Sequence, residues 1–206
     1  MRISIARKIL VEAINQSFKF DYKNNYADKP ISLHLEGSMG IGKTALCRQV
    51  ARDMNLHLVI VSLAQFEPTD IGGMRMPDGD NMKVLRPDWI VANEEWEQLK
   101  ADGSKGILYV FDELPQAPVL NMNIYAQICD EYRVGEYGLD RSYCYIMSCG
   151  NKLSDKAGTN AMPMHLVDRL SFLEIEANLD DTCSYFAKSG VDHRIISWLR
   201  FQPEFL

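Results

Sequence analysis

Gly37-Ser38-Met39-Gly40-Ile41-Gly42-Lys43-Thr44 is the stretch on which the reading of this chain turns. It satisfies the phosphate-cradling pattern G-x-x-x-x-G-K-[ST] in full, and its flanks give that pattern structural content. Before it, Ile31-Ser32-Leu33-His34-Leu35 reads as an apolar strand. After it, residues 45–54 read as a helix with Leu46, Val50 and Met54 on one stripe and Ala51 beside them. Glycine reaches backbone conformations closed to other residues, so successive N–H groups of such a turn point inward at phosphate oxygens. The helix behind the turn adds the positive end of its dipole. Gly37, Ser38, Met39, Gly40, Ile41, Gly42, Lys43, Thr44 and Ala45 are therefore the expected contacts of a nucleoside triphosphate. In that arrangement Lys43 reaches the β- and γ-phosphates and the Thr44 hydroxyl ligates Mg2+.

Outward from this loop, strands and helices alternate. An amphipathic helix at about 3–18, with Ile5, Ala6, Ile9, Leu10, Ala13 and Ile14 at helical spacing, leads through a polar turn over 21–29 into the first strand. A second, aliphatic and β-branched strand covers 56–63. Residues 69–87, with Gly72-Gly73 and Pro77-Asp78-Gly79, predict a short hairpin or insertion, and a polar helix holding Trp96 follows near 92–101. Residues 107–111 are continuously apolar, as a strand covered on both faces requires. A helix over about 117–131 places Leu120, Ile124 and Ile128 at i, i+4 spacing. A connection over 133–141, a fourth strand over 143–148 and a last strand over 172–175 follow, and residues 179–206 read as a small helical lid. The alternation predicts a three-layer α/β fold with a mainly parallel sheet.

The third strand ends in Asp112-Glu113. Ligands of open α/β sheets sit at the carboxyl ends of strands, which is where these two acids fall. Asp112 is the expected second holder of Mg2+, and Glu113 the group that polarises an attacking water. The fourth strand runs into Gly150-Asn151, and Asn151 is the expected polar group beside the γ-phosphate. Two guanine-type signals fail on position. Asn151-Lys152-Leu153-Ser154-Asp155 has one residue too many for N-K-x-D, and Asp70-Ile71-Gly72-Gly73 precedes the acidic strand instead of leaving it. Asp168-Arg169 precedes the last strand. By itself it reads as a surface charge pair, and in an assembly Arg169 is a candidate to stabilise transition-state charge in a neighbour's site.

The bulk properties are those of an ordinary globular chain. It has 206 residues, 47% of them hydrophobic and 24% charged, with a formal net charge of −6. No dense Lys/Arg cluster is present, which weighs against a dedicated nucleic-acid binder. No apolar run approaches the ~18 residues of a membrane span, and Arg2, Arg7 and Lys8 are followed by no secretory core. Cys47, Cys129, Cys144, Cys149 and Cys183 lack C-x-x-C spacing and read as reduced, mostly buried thiols of a cytoplasmic protein. The four histidines have no ligand spacing.

Taken in order, the glycine-rich loop, Asp112-Glu113-Leu114-Pro115-Gln116-Ala117-Pro118, Gly150-Asn151 and Met162-Pro163 through Asp168-Arg169 resemble an AAA+ ATPase module, and within it the MoxR-like branch of short bacterial and phage proteins. Arg133-Val134-Gly135-Glu136-Tyr137 and Trp198-Leu199-Arg200-Phe201-Gln202-Pro203 also look like segments of that family, so the resemblance spans about 31–203. It implies a P-loop NTPase with sheet order 5-1-4-3-2, Walker A and B motifs as above, and ATP with Mg2+. It further implies a ring, typically a hexamer, with Arg169 acting in trans. Residues 65–90 would be an insert facing the ring axis, and the connection over 131–142 a hairpin before the fourth strand. Two parts are expected: a nucleotide-binding core over 1–177 and a helical lid over 178–206, short of the family's second sensor arginine. Such proteins remodel protein partners, often ones with a von Willebrand factor A-type domain. The alternatives are an ATP-binding switch or scaffold with weak turnover, and a DNA-directed accessory ATPase.

Overall fold

The structure, a computed structural model, describes residues 1–22, 30–152 and 160–205. Helix α1 (Ile3–Lys19) precedes β1 (Ser32–Glu36), the glycine-rich loop and α2 (Lys43–Met54). There follow β2 (Leu56–Ser62), a short α3 (Pro68–Gly72), a hairpin of β3 (Arg75–Asp78) and β4 (Asn81–Val84), and α4 (Asn93–Ala101). β5 (Gly106–Asp112) turns through a 3-10 segment, Leu114–Gln116, into α5 (Val119–Glu131). A two-rung hairpin of β6 (Arg133–Val134) and β7 (Tyr137–Gly138) leads to β8 (Cys144–Gly150), α6 (Met164–Val167) and β9 (Leu170–Glu174). Helices α7 (Leu179–Lys188) and α8 (His193–Phe201) and a 3-10 turn, Pro203–Phe205, follow.

Five strands form one parallel sheet in the order β2-β5-β8-β1-β9. Numbered among themselves in chain order, they run 5-1-4-3-2 from the β9 edge. Alternation along the central strands splits the core into two layers. Ile107, Tyr109 and Phe111 of β5 and Ile146 of β8 join Met122, Tyr125 and Ile128 of α5 on one face. Leu108 and Val110 of β5 and Tyr145 and Met147 of β8 join Leu10 and Ile14 of α1 and Leu46 and Val50 of α2 on the other. Helices on both faces of a parallel sheet make the three-layer α/β fold expected from the sequence.

Three local expectations change. The buried face of α5 is Asn121, Met122, Tyr125, Ala126, Ile128 and Cys129, whereas Leu120 is 57% exposed. Asn121 turns inward because its amide donates to the carbonyls of Leu63 (2.9 Å) and Phe66 (2.8 Å), pinning the loop after β2. Ile5 of α1 faces solvent, so the buried stripe there is Ala6, Leu10 and Ile14. The last strand begins at Leu170, two residues ahead of its expected start, and pairs with β1 along its whole length. All five cysteines are free and buried. Among the described residues no helix is long and apolar enough to cross a membrane.

Register fixes what meets at the carboxyl edge. Glu36 pairs with Gly150, and Ser62 pairs with Asp112, so the loop after β1 and the ends of β2, β5 and β8 share one edge of the sheet. Gly150 also permits a close approach: a Cβ there would lie 2.1 Å from Pro115 Cδ, so β8 packs directly on the turn that follows Glu113.

Candidate nucleotide site

The loop is built by its glycines. Gly40 and Gly42 have φ of +77° and +98°, values that non-glycine residues rarely adopt. Gly37 packs against the chain after β9, where a Cβ would sit 2.8 Å from the Ile175 carbonyl. Ser38, Met39 and Gly40 form an exposed tip. Lys43 is buried at the start of α2, and its ammonium donates to the carbonyls of Gly37 (2.7 Å) and Ser38 (2.9 Å) and to Asn151 Oδ1 (2.9 Å). The lysine therefore already spans the loop and the end of β8. Ala45, in the first turn of the helix, is exposed.

On the acidic side, the Thr44 hydroxyl donates to Asp112 Oδ2 at 2.6 Å, and the Glu113 amide donates to Asp112 Oδ1 at 2.9 Å. Glu113 adopts a left-handed conformation, φ +59°, which turns the chain sharply at the strand end. Its Oε2 accepts a hydrogen bond from Ser62 at 2.5 Å. A hydroxyl and a carboxylate oxygen in direct contact beside a phosphate loop are hard donors of the kind Mg2+ takes, with waters and phosphate oxygens completing its shell. Thr44 and Asp112 thus fit the ion. Among the described residues no cluster of three His, Cys, Asp or Glu side chains offers an all-protein metal site.

Behind the loop, His34 Nδ1 and Ser148 Oγ lie 2.8 Å apart in a fully buried pair. Burial, and secondarily the charge of Lys43, holds the His34 pKa down to about 3, so the ring is neutral. Cys47 and Cys149 bring their sulfurs within 3.8 Å between α2 and β8. Their mutual hydrogen bond and their burial push the Cys149 thiol far above its ordinary range, so it is not a nucleophile at neutral pH.

The structure brings together Lys43, Thr44, Asp112, Glu113 and Asn151. It does not bring Arg169 to them. Arg169 precedes β9, whose Leu170 pairs with Ser32, whereas the glycine-rich loop leaves β1 four residues later at the opposite edge. At ~3.3 Å per residue the two edges stand roughly 13 Å apart. Nor does Arg169 pair with Asp168: its guanidinium donates to the His165 carbonyl and to Asp130 Oδ2 of α5 (3.4 Å). Asp70, of the discarded D-x-x-G match, caps α3 by accepting the Glu67 amide. Leu153, Ser154 and Asp155 of the other match lie outside the described residues.

Sequence reasoning missed Ser62. A serine at a strand end has no pattern of its own, and it becomes legible only once β2 and β5 are known to be neighbours. His34 and Ser148 were missed for the same reason, each being a polar residue inside an otherwise apolar strand.

No protein-family model matches the chain, and no curated protein matches it in sequence. Solved structures do match in fold. A presumed ATPase from Cytophaga hutchinsonii superposes with a TM-score of 0.59 at 16% identity, covering 91% of this chain and 50% of that one. Hsp104, in a closed state with ATPγS and FITC casein, gives 0.55 at 14% identity, covering 89% of this chain and 36% of that one. The chain thus spans half the length, or less, of the solved chains it matches here. At such identities the likeness speaks for the fold alone, the three-layer α/β arrangement around a parallel sheet described above.

Proposed function

We propose that the chain binds ATP with Mg2+ and hydrolyses it, as an AAA+ module of the MoxR-like type that works in a ring and remodels a protein partner. One observation carries this conclusion. Lys43, Thr44, Asp112, Glu113 and Asn151, up to 108 residues apart in sequence, meet through direct hydrogen bonds at the carboxyl edge of one parallel sheet. The N–H groups of residues 37–45 hold the phosphates, and Lys43 compensates their charge. Thr44 and Asp112 would hold Mg2+, which would supply positive charge against the triphosphate. Glu113 orients and deprotonates the attacking water. Asn151 exchanges its contact with Lys43 for one with the γ-phosphate. Arg169 serves a neighbouring copy's site, in keeping with its place far from its own loop. Adenine is favoured because both guanine-type motifs fail on position.

Residues 1–177 form the nucleotide-binding core and 178–206 the helical lid. A hexameric, cytoplasmic assembly acting on a von Willebrand factor A-type partner is the finer form of the same proposal. Steady-state phosphate release is the test. Lys43→Ala should lose nucleotide binding, while Glu113→Gln should keep binding and lose turnover. A Glu113→Gln protein that hydrolyses ATP at the parent rate would overturn the assignment.

A further inference from the structure

The two small hairpins take no part in the nucleotide site, yet they are built against each other. Val84 of β4 sits against Gly135, where a Cβ would lie 3.0 Å from the valine, and the Val84 carbonyl accepts the Tyr137 hydroxyl at 3.2 Å. Register then tells which face of β3–β4 is turned toward β6–β7. Val84 pairs with Arg75 and Met82 with Pro77, so Arg75, Val84, Pro77 and Met82 share that face. Beside this contact lies a cavity of about 420 Å³ whose lining includes Gly72, Gly73, Arg75, Ile124, Arg133 and Gly135. No residue of the glycine-rich loop lines it.

Among the described residues, two arginines and no carboxylate line this cavity, in a chain whose formal net charge is −6. The Arg133 guanidinium is pinned in place, its Nε and Nη2 both donating to the Gly135 carbonyl (2.9 and 2.6 Å). Two of its five N–H groups are committed there. The Arg75 guanidinium forms no hydrogen bond or ion pair among the described residues. Gly73 lets the end of the β3–β4 hairpin close against the cavity's rim: a Cβ there would come within 2.5 Å of the Leu85 carbonyl and of Val84 Cγ1. Next along the face from Arg75, Met82 is 60% exposed. Among the described residues no aromatic ring lines the cavity to stack a base, and only two cations do.

We infer that this cavity receives an extended acidic segment of a protein partner, its carboxylate held by Arg75 and Arg133 and a neighbouring apolar side chain laid over Met82. Guanidinium groups bind carboxylates in a charge-assisted, often bidentate way, which sets this ligand apart from a neutral amide of the same shape. The inference rests on the proposed remodelling function only for why a partner is present; its test needs no ATP turnover.

The probe is a short fluorescein-labelled peptide of glutamate, glycine and leucine, with its glutamine twin as control, followed by anisotropy at near-physiological salt. The glutamate peptide should bind saturably, and the glutamine twin at least about tenfold more weakly. Arg75→Gln, with an unchanged melting temperature, should lose about the same factor, and Arg133→Lys should lose affinity while sparing the hairpin. Equal binding of the two peptides, no saturable binding of the glutamate peptide, unaltered binding by Arg75→Gln, or displacement by oligothymidylate would each overturn the inference. Lys43→Ala should bind the peptide as well as the parent does. A protein that binds the peptide but turns over no ATP keeps this site and loses the proposed ATPase function; the converse result removes this site alone.

Discussion

Ser62 donates its hydroxyl to Glu113 across the β2–β5 pair, in the register that sets Ser62 opposite Asp112. The proposed water-activating carboxylate is thus tied to a neighbouring strand instead of standing free. A hydrogen bond to a charged group contributes about 1.5–3 kcal/mol, and it restricts the freedom of the carboxylate. Ser62→Ala should raise basal phosphate release by a factor of about 2–10 while leaving nucleotide affinity unchanged. A fall in kcat would mean that the hydroxyl positions Glu113 for catalysis rather than restraining it.

His34 gives the fold a dependence on pH. Its ring is held neutral with a pKa of about 3, whereas an unfolded histidine titrates near ~6.5. Between those values the unfolded chain binds a proton that the folded chain refuses. Stability is complete above pH ~6.5 and falls as pH drops toward about 3, with a slope of up to ~1.4 kcal/mol per pH unit from this one group. Melting temperatures from pH 6.5 to 5 should decline for the parent and decline less steeply for His34→Gln. Parallel lines for the two proteins would remove His34 as the cause.

Gly150 tests the packing of β8 on the turn after Glu113. Alanine there would place its Cβ 2.1 Å from Pro115 Cδ and 2.5 Å from Cγ, inside hard-contact distance of a rigid ring. Gly150→Ala should cost about 2 kcal/mol or more in a denaturant titration, because neither strand nor proline has room to give. The neighbouring Asn151 shifts with the strand, so ATP turnover should drop more than ATP binding does.

Arg169 makes no contact with its own loop, and this permits a mixing experiment. Arg169→Ala should bind nucleotide normally and lose turnover by a factor of about 10³ or more. Combining it with Lys43→Ala subunits should recover part of the activity, since each supplies what the other lacks. No recovery at any mixing ratio, with assemblies confirmed by light scattering, would rule out action in trans.

Much of the site was legible because its chemistry is local in sequence. The loop over 37–44 and the pair Asp112-Glu113 each carry their meaning in consecutive residues, and strand-to-helix context does the rest. What escaped depends on residues that meet only after folding. Asn121 carries no apolar signal in the sequence, yet its amide anchors two carbonyls of a distant loop. Leu120 shares the i, i+4 spacing of Ile124 and Ile128, yet it is exposed because Asn121 and Met122 take the inward positions. The start of β9 was misplaced because a partly exposed edge strand, with Phe172 38% exposed, lacks the continuous apolar signal of a central one.

Pro115 touches β8 at Gly150, and its carbonyl accepts the Asn160 amide at 2.6 Å, while the Asn160 side chain reaches the Ala117 carbonyl at 3.0 Å. The end of the Asn151 strand, the turn after Glu113 and the segment entering α6 are therefore stacked like parts of a pushrod. A continuous run of contacts thus joins the end of β8 to the segment that enters α6, the short helix ahead of Arg169.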